Sequence, residues 1–156
     1  MLTRALTLTA LVSIVLAQSS TAQVEKSWIT LNADEKFSLQ APPGTKYKPL
    51  QGIDSFVGEF TNPTLTIRFD YGGYSPTLNR FRSDKSYAFE SIKIDGHDAS
   101  MVIGPGERNF VGCNGRYVAI HVPVYGPRSL YMGGCTSDDS KVETLQAIFS
   151  SIKFMK

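Results

Sequence analysis

Apolar and polar residues alternate with a period of two through much of the chain beyond residue 36. The clearest case is 64-TLTIRFDYG-72, in which four apolar residues alternate with four polar ones. The apolar set is Leu65, Ile67, Phe69 and Tyr71, and the polar set is Thr64, Thr66, Arg68 and Asp70. Such alternation is typical of a β-strand with one buried face. The stretch therefore predicts an amphipathic strand that ends at a Gly-Gly turn.

Two more segments predict paired strands. The segment 90–103 contains the turn sequence 95-DGHD-98 between two alternating arms, a pattern typical of a β-hairpin. The segment 117–126 is the most apolar of the predicted strands and is expected to pair with 129–135. Pro123 lacks a backbone donor, so it predicts an edge position or a bulge near the end of that strand.

Helical periodicity replaces the alternation near the C-terminus. The segment 140-SKVETLQAIFSSIKF-154 places apolar residues on one helical stripe, and Ser140 with Glu143 matches a capping box. The segment 75–87 begins with Ser75-Pro76 and fits either a short helix or an irregular crossover. The chain is therefore expected to be an α+β domain, mainly an antiparallel sheet covered by helices, with an amphipathic C-terminal helix. The alternative is a lipocalin-like β-barrel with a C-terminal helix.

The N-terminus has the layout of a secretory signal peptide: a basic residue, an apolar run from Ala5 to Ala17 and small polar residues. Residues 1–22 are expected to be removed after Ala22, with Ala17 as an acceptable second position, to leave 23–156 as a single domain. The apolar run is shorter than the ~20 residues that span a membrane. We therefore expect a periplasmic or secreted protein without a membrane span in its mature chain.

Charge gives no support for a nucleic-acid partner. The chain has 16 Lys and Arg against 14 Asp and Glu, so that loss of Arg4 with the signal peptide leaves 15 against 14. Nucleic-acid binding depends on an excess of Lys and Arg on one surface. The partner is therefore expected to be a protein or a small ligand.

Cys113 and Cys135 are the only two cysteines, and an even number in an exported chain predicts a disulfide. If 113-CNGR-116 and 125-YGPR-128 both formed tight hairpins, the cysteines would lie two strand spacings apart, about 9.6 Å, which is too far for a bond. We therefore expect an open loop at Asn114-Gly115 and a bonded pair. No zinc ligand set or C-x-x-C redox motif is present, so no metal site is predicted.

Four segments together resemble small exported bacterial proteins with the fold of the photosystem II extrinsic protein P. They are FSLQAPPGTK near the mature start, FDYGGYS, the hairpin IDGHDA and the closing FSSIKF. The resemblance implies an antiparallel sheet sandwiched by helices. It also implies an accessory or binding role rather than an enzymatic one, and it carries over no functional residue.

Catalytic signatures are weak in this sequence. There is no G-x-S-x-G nucleophile motif and no dinucleotide or Walker pattern, so no catalytic residue and no cofactor are predicted. Glu59 and Asp70 form the obvious carboxylate pair. A hairpin at 61-TNPT-64 would place Glu59 opposite Thr66 and Asp70 about 13 Å away, too far for glycoside hydrolysis.

The stretch 65-LTIRFDYGGYS-75 supplies the candidate site. Arg68, Asp70, Tyr71 and Tyr74 bring charge and aromatic rings to a strand end, and His121 lies on another strand. The stretch is either the rim of a recognition site or only a strand and its turn. We expect a non-enzymatic exported accessory or binding protein. The alternative is a small-ligand binder with a pocket between sheet and helix, edged by Tyr71, Tyr74 and His121, and a weaker one is a hydrolase with His121 as its base.

Overall fold

The computed structural model describes residues 27–106 and 113–155. This part of the chain contains ten strands, one α-helix, and two 3-10 turns at Asn79–Phe81 and Asp139–Lys141. The strands are Ile29–Ala33 (β1), Phe37–Ala41 (β2), Lys46–Leu50 (β3), Phe56–Asn62 (β4), Leu65–Gly72 (β5), Ala88–Ile94 (β6), His97–Pro105 (β7), Arg116–Pro123 (β8), Ser129–Thr136 (β9) and Lys153–Phe154 (β10). The helix is Val142–Ser150 (α1). The predicted signal peptide and its cut after Ala22 lie outside the described residues.

The strands form two antiparallel sheets. The large sheet has the order β3-β4-β5-β9-β8-β7-β6, and the small one has the order β1-β2-β10. The large sheet is open, with β3 and β6 at its edges. The expectation of a mainly antiparallel sheet with a C-terminal helix is confirmed, and the lipocalin-like barrel is wrong.

The predicted alternation decides which face of the large sheet each residue joins. Ile67, Phe69 and Tyr71 lie on the face that packs against α1 and the small sheet, which we call the helix face. Leu145, Ile148 and Phe149 of α1 fill this interface and are fully buried with their neighbours. Burial of each such side chain contributes about 1.5–3 kcal/mol, so this layer holds the domain together.

The opposite face of the large sheet carries Arg68 and Asp70, and we call it the crossover face. The connection 73–87 runs over this face and packs Leu78 and Phe81 against the fully buried Tyr117. It contains only the 3-10 turn at Asn79–Phe81, so the irregular crossover is the correct alternative. The sheet was expected to be covered by helices; in the described residues α1 covers the helix face together with the small sheet, and the crossover takes the place of a helix on the opposite face.

Two other expectations about strands have different outcomes. The hairpin at 95–96 is confirmed: Asp95 and Gly96 form a two-residue turn with φ of 49° and 83°. Gly tolerates this left-handed region without strain, which favours the turn here. Pro123 was expected at an edge position or a bulge; β8 is an inner strand, but Pro123 itself lies beyond the residues of β8 that pair with β7. β8 lies between β9 and β7, and Pro123 is tolerated because the pairing with β7 extends only to His121.

The C-terminal helix is shorter than the apolar stripe suggests. Its predicted capping box is wrong, because the Asp138 carboxylate accepts hydrogen bonds from the Ser140 backbone N–H (2.9 Å) and hydroxyl (2.7 Å) instead. At the other end, the Ser151 hydroxyl donates to the Ile148 carbonyl at 2.6 Å and accepts from the Gln40 backbone N–H at 2.8 Å. Ser151 therefore ends α1 and links it to β2, and β10 follows.

Candidate functional site

Several loops meet at one end of the large sheet because its antiparallel strands return there at every second connection. These loops of the large sheet are 51–55, 73–75 and 124–128. The loop 34–36 of the small sheet and the chain after β10 join them. They carry four exposed apolar side chains. We call Ile53, Tyr74, Tyr125 and Met155, together with these loops, the loop rim.

The exposure of these four side chains is high for apolar residues. Ile53 is 104% exposed, Tyr74 83%, Tyr125 63% and Met155 38%. Among the large apolar side chains of the described chain that are exposed, only Ile29, at 37%, lies away from this end. A local concentration of exposed apolar groups marks an interaction site more often than scattered single residues do. The loop rim is therefore the main candidate for binding.

A cleft of about 440 Å³, which we call the rim cleft, opens at the base of the loop rim. Ile53, Phe56 and Tyr71 give it apolar walls, and Lys36 and Arg128 lie at its border. Asp54 and the backbone of the Gly72-Gly73 turn complete the lining. Two cations and one carboxylate thus surround an apolar surface, which suits a partner segment that presents an apolar side chain beside an acidic group.

A chain of aromatic contacts connects the rim to the core. Tyr71 lies 6.5 Å, centroid to centroid, from both Phe37 of β2 and Phe154 of β10. His97 contacts Phe154 edge to face at 5.3 Å and Tyr125 in the same way at 5.2 Å. Aromatic pairs in such geometries stabilise their arrangement by about 0.5–1.5 kcal/mol each. The base of the rim is therefore held by packing, although its tips are exposed.

Asp95 fixes the end of the chain beneath the rim. Its carboxylate accepts hydrogen bonds from the Phe154 backbone N–H at 2.9 Å and from the Lys153 ammonium at 3.1 Å. The Phe154 N–H, followed by Lys153, lowers the pKa of Asp95 below its ordinary value. Met155 is positioned in turn by its backbone N–H, which donates to the Lys36 carbonyl at 3.0 Å. The sequence pattern predicted the hairpin turn but not this second role of Asp95.

The Gly72-Gly73 turn is set by close contacts. A Cβ on Gly72 would lie 2.7 Å from the Ser55 Cβ, so glycine permits the approach of the loop 51–55. The Ser75 hydroxyl, expected as a helix cap, instead lies within hydrogen-bonding distance of the carbonyl oxygens of Asp70 (3.0 Å), Gly72 (3.2 Å) and Ser129 (3.0 Å). Ser75 therefore joins the turn to β9.

The predicted site residues do not form one group. Tyr71 is half-buried at the rim cleft and Tyr74 projects from the rim, so these two share one location. Arg68 and Asp70 lie on the crossover face, where His121 also lies, with Tyr131 of β9 between Asp70 and His121. Because successive strand residues face opposite ways, the structure does not bring Tyr71 and His121 to one pocket.

The space between α1 and the sheet is filled by the fully buried side chains of the core. Tyr71 and His121 lie on opposite faces of the sheet, so these two residues do not edge one pocket between sheet and helix. Binding of a small ligand stays a prediction. His121 is partly buried on the crossover face, and this loss of hydration lowers its pKa. Its role as a hydrolytic base stays a prediction.

The carboxylate pair has a different register from the expected one. Glu59 lies opposite Arg68, and Asp70 lies opposite Val57, so the two residues are diagonal neighbours whose Cα atoms lie about 7–8 Å apart, in place of the expected 13 Å. Glu59 forms ion pairs with Arg68 (3.4 Å) and Lys48 (3.6 Å). The expected separation of Glu59 and Asp70 was therefore wrong. Glu59 itself is the ion-pair partner of two cations.

The disulfide lies at the other end of the sheet. Cys113 and Cys135 are bonded, with their Cα atoms 5.7 Å apart. Cys113 precedes β8, and Gly115 bends the chain there, so that Cys135 of β9 comes within reach. The predicted open loop at Asn114-Gly115 is confirmed. The bond is compatible with an extracytoplasmic location.

The described residues were expected to hold no metal site and no membrane span. Within residues 27–106 and 113–155, no three His, Cys, Asp or Glu side chains are grouped so that they could hold a metal ion. No helix in the same ranges is long and apolar enough to cross a membrane. A scan of the chain against protein-family models gives no match, and a search of curated proteins gives no significant match.

Proposed function

We propose that this protein is an exported, non-enzymatic accessory protein that binds another protein through its loop rim. The observation that carries the proposal is the gathering of Ile53, Tyr74, Tyr125 and Met155 at one end of the sheet. Contact between these apolar side chains and water is unfavourable. A partner that covers them therefore stabilises the complex by about 25 cal/mol for each Å² of apolar surface removed from water. The accessory role also agrees with what the resemblance to the extrinsic-protein fold implies.

The partner surface is expected to combine an apolar side chain with an acidic group. Ile53 and Tyr71 offer the apolar wall, whereas Lys36 and Arg128 offer positive charge at the border of the same cleft. Exposed charges at a border chiefly raise the rate of association and select the partner, whereas the buried apolar contact determines how slowly the complex dissociates.

Affinity capture from the native cell envelope tests the proposal. The bait is the chain 23–156, alongside a double variant with Ile53→Ser and Tyr74→Ser. Both side chains are more than four-fifths exposed, so the variant is expected to keep its fold. Ile29→Ser is the matched control, because Ile29 is an exposed apolar residue on the small sheet.

The expected result is a protein that the wild type and the Ile29→Ser control retain and the double variant loses. Its purified form should bind the double variant at least tenfold more weakly, a loss of about 1.4 kcal/mol. Equal binding by all three baits, or no protein enriched by the wild type, would contradict the proposal.

A further inference from the structure

The disulfide lies beside a cleft at the end of the large sheet opposite the loop rim. This cleft has a volume of about 300 Å³, and Cys135 is part of its lining. The rest of the lining comes from the β4–β5 turn, the start of β5, the loop at Asn114-Gly115 and the end of β9. We call this space the disulfide cleft.

The two bonded cysteines differ in exposure. Cys113 is 6% exposed and belongs to the buried cluster on the crossover face, with Phe81 and Tyr117. Cys135 is half-buried and packs at the border of the same cluster. Thiol–disulfide exchange begins when a thiolate attacks one of the two sulfurs, and access to that sulfur limits the rate. Cys135 is therefore the more open of the two to attack.

The strand order sets the direction of the bond. Thr66 of β5 lies directly opposite Cys135 of β9, so their side chains share the crossover face. Cys113 lies on the other side of β9, towards β7, because a Cβ on Gly106, just after β7, would overlap the Cys113 carbonyl oxygen. The S–S bond therefore runs from Cys135 away from β5 and away from the disulfide cleft.

This direction leaves one sulfur open to displacement. A thiolate attacks a disulfide in line with the bond that breaks, from the side opposite the departing sulfur. For Cys135 that side faces β5, where the disulfide cleft opens. For Cys113 the corresponding side faces away from the cleft, and Cys113 is buried there. The cleft thus gives a path to Cys135 and none to Cys113.

The lining of the disulfide cleft suits a thiol that is carried by a short peptide. Thr66, Asn114 and Ser137 bring hydroxyl and amide groups to it, and none of the described residues that line it is charged. Such neutral groups can donate to and accept from a peptide backbone. Since the lining contains no carboxylate, it does not repel the negative charge of a thiolate.

We propose that Cys135 is a site of reversible S-thiolation, at which a peptide thiol in the disulfide cleft opens the bond to Cys113. The incoming thiolate forms an S–S bond with the Cys135 Sγ. The Cys113–Cys135 bond breaks, and its electron pair leaves with Cys113 as a thiolate. The incoming sulfur is thereby oxidised and Cys113 is reduced, and attack of the Cys113 thiolate on Cys135 reverses the step. This site does not depend on the loop rim, because it lies at the opposite end of the sheet.

Trapping of the mixed disulfide tests which sulfur is attacked. The oxidised chain 23–156 is treated with excess glutathione, quenched with N-ethylmaleimide and mapped by mass spectrometry. Glutathione on Cys135 with maleimide on Cys113 is expected roughly tenfold more often than the reverse, because access decides which sulfur reacts. The protein unfolded in urea is the control and should show both arrangements to a similar extent.

Two results of this experiment would overturn the proposal. One is a folded protein that carries glutathione equally on both cysteines or mainly on Cys113. The other is a folded protein that forms no mixed disulfide under conditions in which the unfolded protein forms it.

Two threonine substitutions test the path through the cleft. Thr66→Leu places a larger side chain beside Cys135 and is expected to slow formation of the mixed disulfide about fivefold, because access is reduced. Thr61→Leu is the matched control, since Thr61 lies opposite Thr66 on β4 and is also half-buried but does not line the cleft. Equal rates for the two variants would overturn the assignment. If Thr66→Leu has a lower urea midpoint than the control, Ser137→Leu replaces it, since Ser137 is exposed and lines the same cleft.

Discussion

Reduction of the Cys113–Cys135 bond gives the sharpest test of how this fold is stabilised. The two residues are separated by 22 positions, and the enclosed segment contains the β8–β9 hairpin. In the folded protein the hairpin already brings Cys113 and Cys135 together, so the bond changes the free energy of the folded state little. In the unfolded chain it restricts the whole loop, and the loss of entropy for a loop of this length destabilises the unfolded state by about 3 kcal/mol.

Urea unfolding measures this effect. The slope for a domain of this size is of the order of 1.5 kcal/mol per molar urea, so reduction should lower the midpoint by about 2 M. The same side chains are present in both states, which makes the oxidised and reduced wild type the most direct comparison. A variant with Cys113→Ala and Cys135→Ala should unfold near the reduced midpoint and should not respond to reductant.

Two results would refute this reasoning. Two titratable thiols in the unreduced, denatured protein would show that the bond does not form. A loss below about 1 kcal/mol on reduction, with the bond present, would show that the unfolded chain already keeps these ends together, because the loop-entropy argument requires an open unfolded loop.

Two substitutions on the crossover face give further predictions. Gly133→Ala should destabilise the protein by about 1–3 kcal/mol, because the new Cβ overlaps the hydroxyl of the buried Tyr117 ring. Gly73→Ala, whose nearest new contact is 4.0 Å away, is the control, and equal urea midpoints would contradict the argument. For His121, burial lowers the folded pKa, so the unfolded chain binds the proton first as the pH falls below about 6.5. The wild type should therefore lose more stability than His121→Asn between pH 8 and 5, and parallel pH profiles would exclude this effect.

Local patterns in the sequence predicted the parts of the fold that local chemistry decides. The alternation of Ile67 and Phe69 with Arg68 assigns each side chain to the correct face, because a strand has a period of two. The Asp95-Gly96 turn follows from the left-handed conformation that its backbone needs. In both cases the deciding residues are neighbours in the chain.

The register of β4 and β5 depends on a contact that the pattern does not reveal. The Asn62 side-chain oxygen accepts hydrogen bonds from the backbone N–H groups of Thr64 (2.9 Å) and Leu65 (3.1 Å). This Asx turn closes the hairpin around Pro63 and Thr64, and it places Glu59 opposite Arg68. The expected turn at 61–64 is centred one residue before the observed turn, and this shifts every cross-strand pair by two residues while it leaves the alternation intact. The expected separation of Glu59 and Asp70 was wrong for this reason.

The loop rim depends on the order of the strands in the sheet, which local sequence patterns do not predict. β5 pairs with β9 rather than with β6, and this brings the Gly72-Gly73 turn beside Arg128. The sequence also gives no signal for the exposed Ile53, because a single apolar residue in a polar loop is common. Only the meeting of several such loops distinguishes this end of the sheet.

Asp70 and Tyr71 are adjacent in sequence but belong to different surfaces. Tyr71 lines the rim cleft, whereas Asp70 lines a separate cleft on the crossover face, because the strand turns them to opposite faces. Ser75 links these surfaces, since its hydroxyl lies near the Asp70 carboxylate and the Gly72 carbonyl. A substitution at Ser75 would therefore disturb both surfaces, whereas a substitution at the exposed Tyr74 changes the loop rim alone.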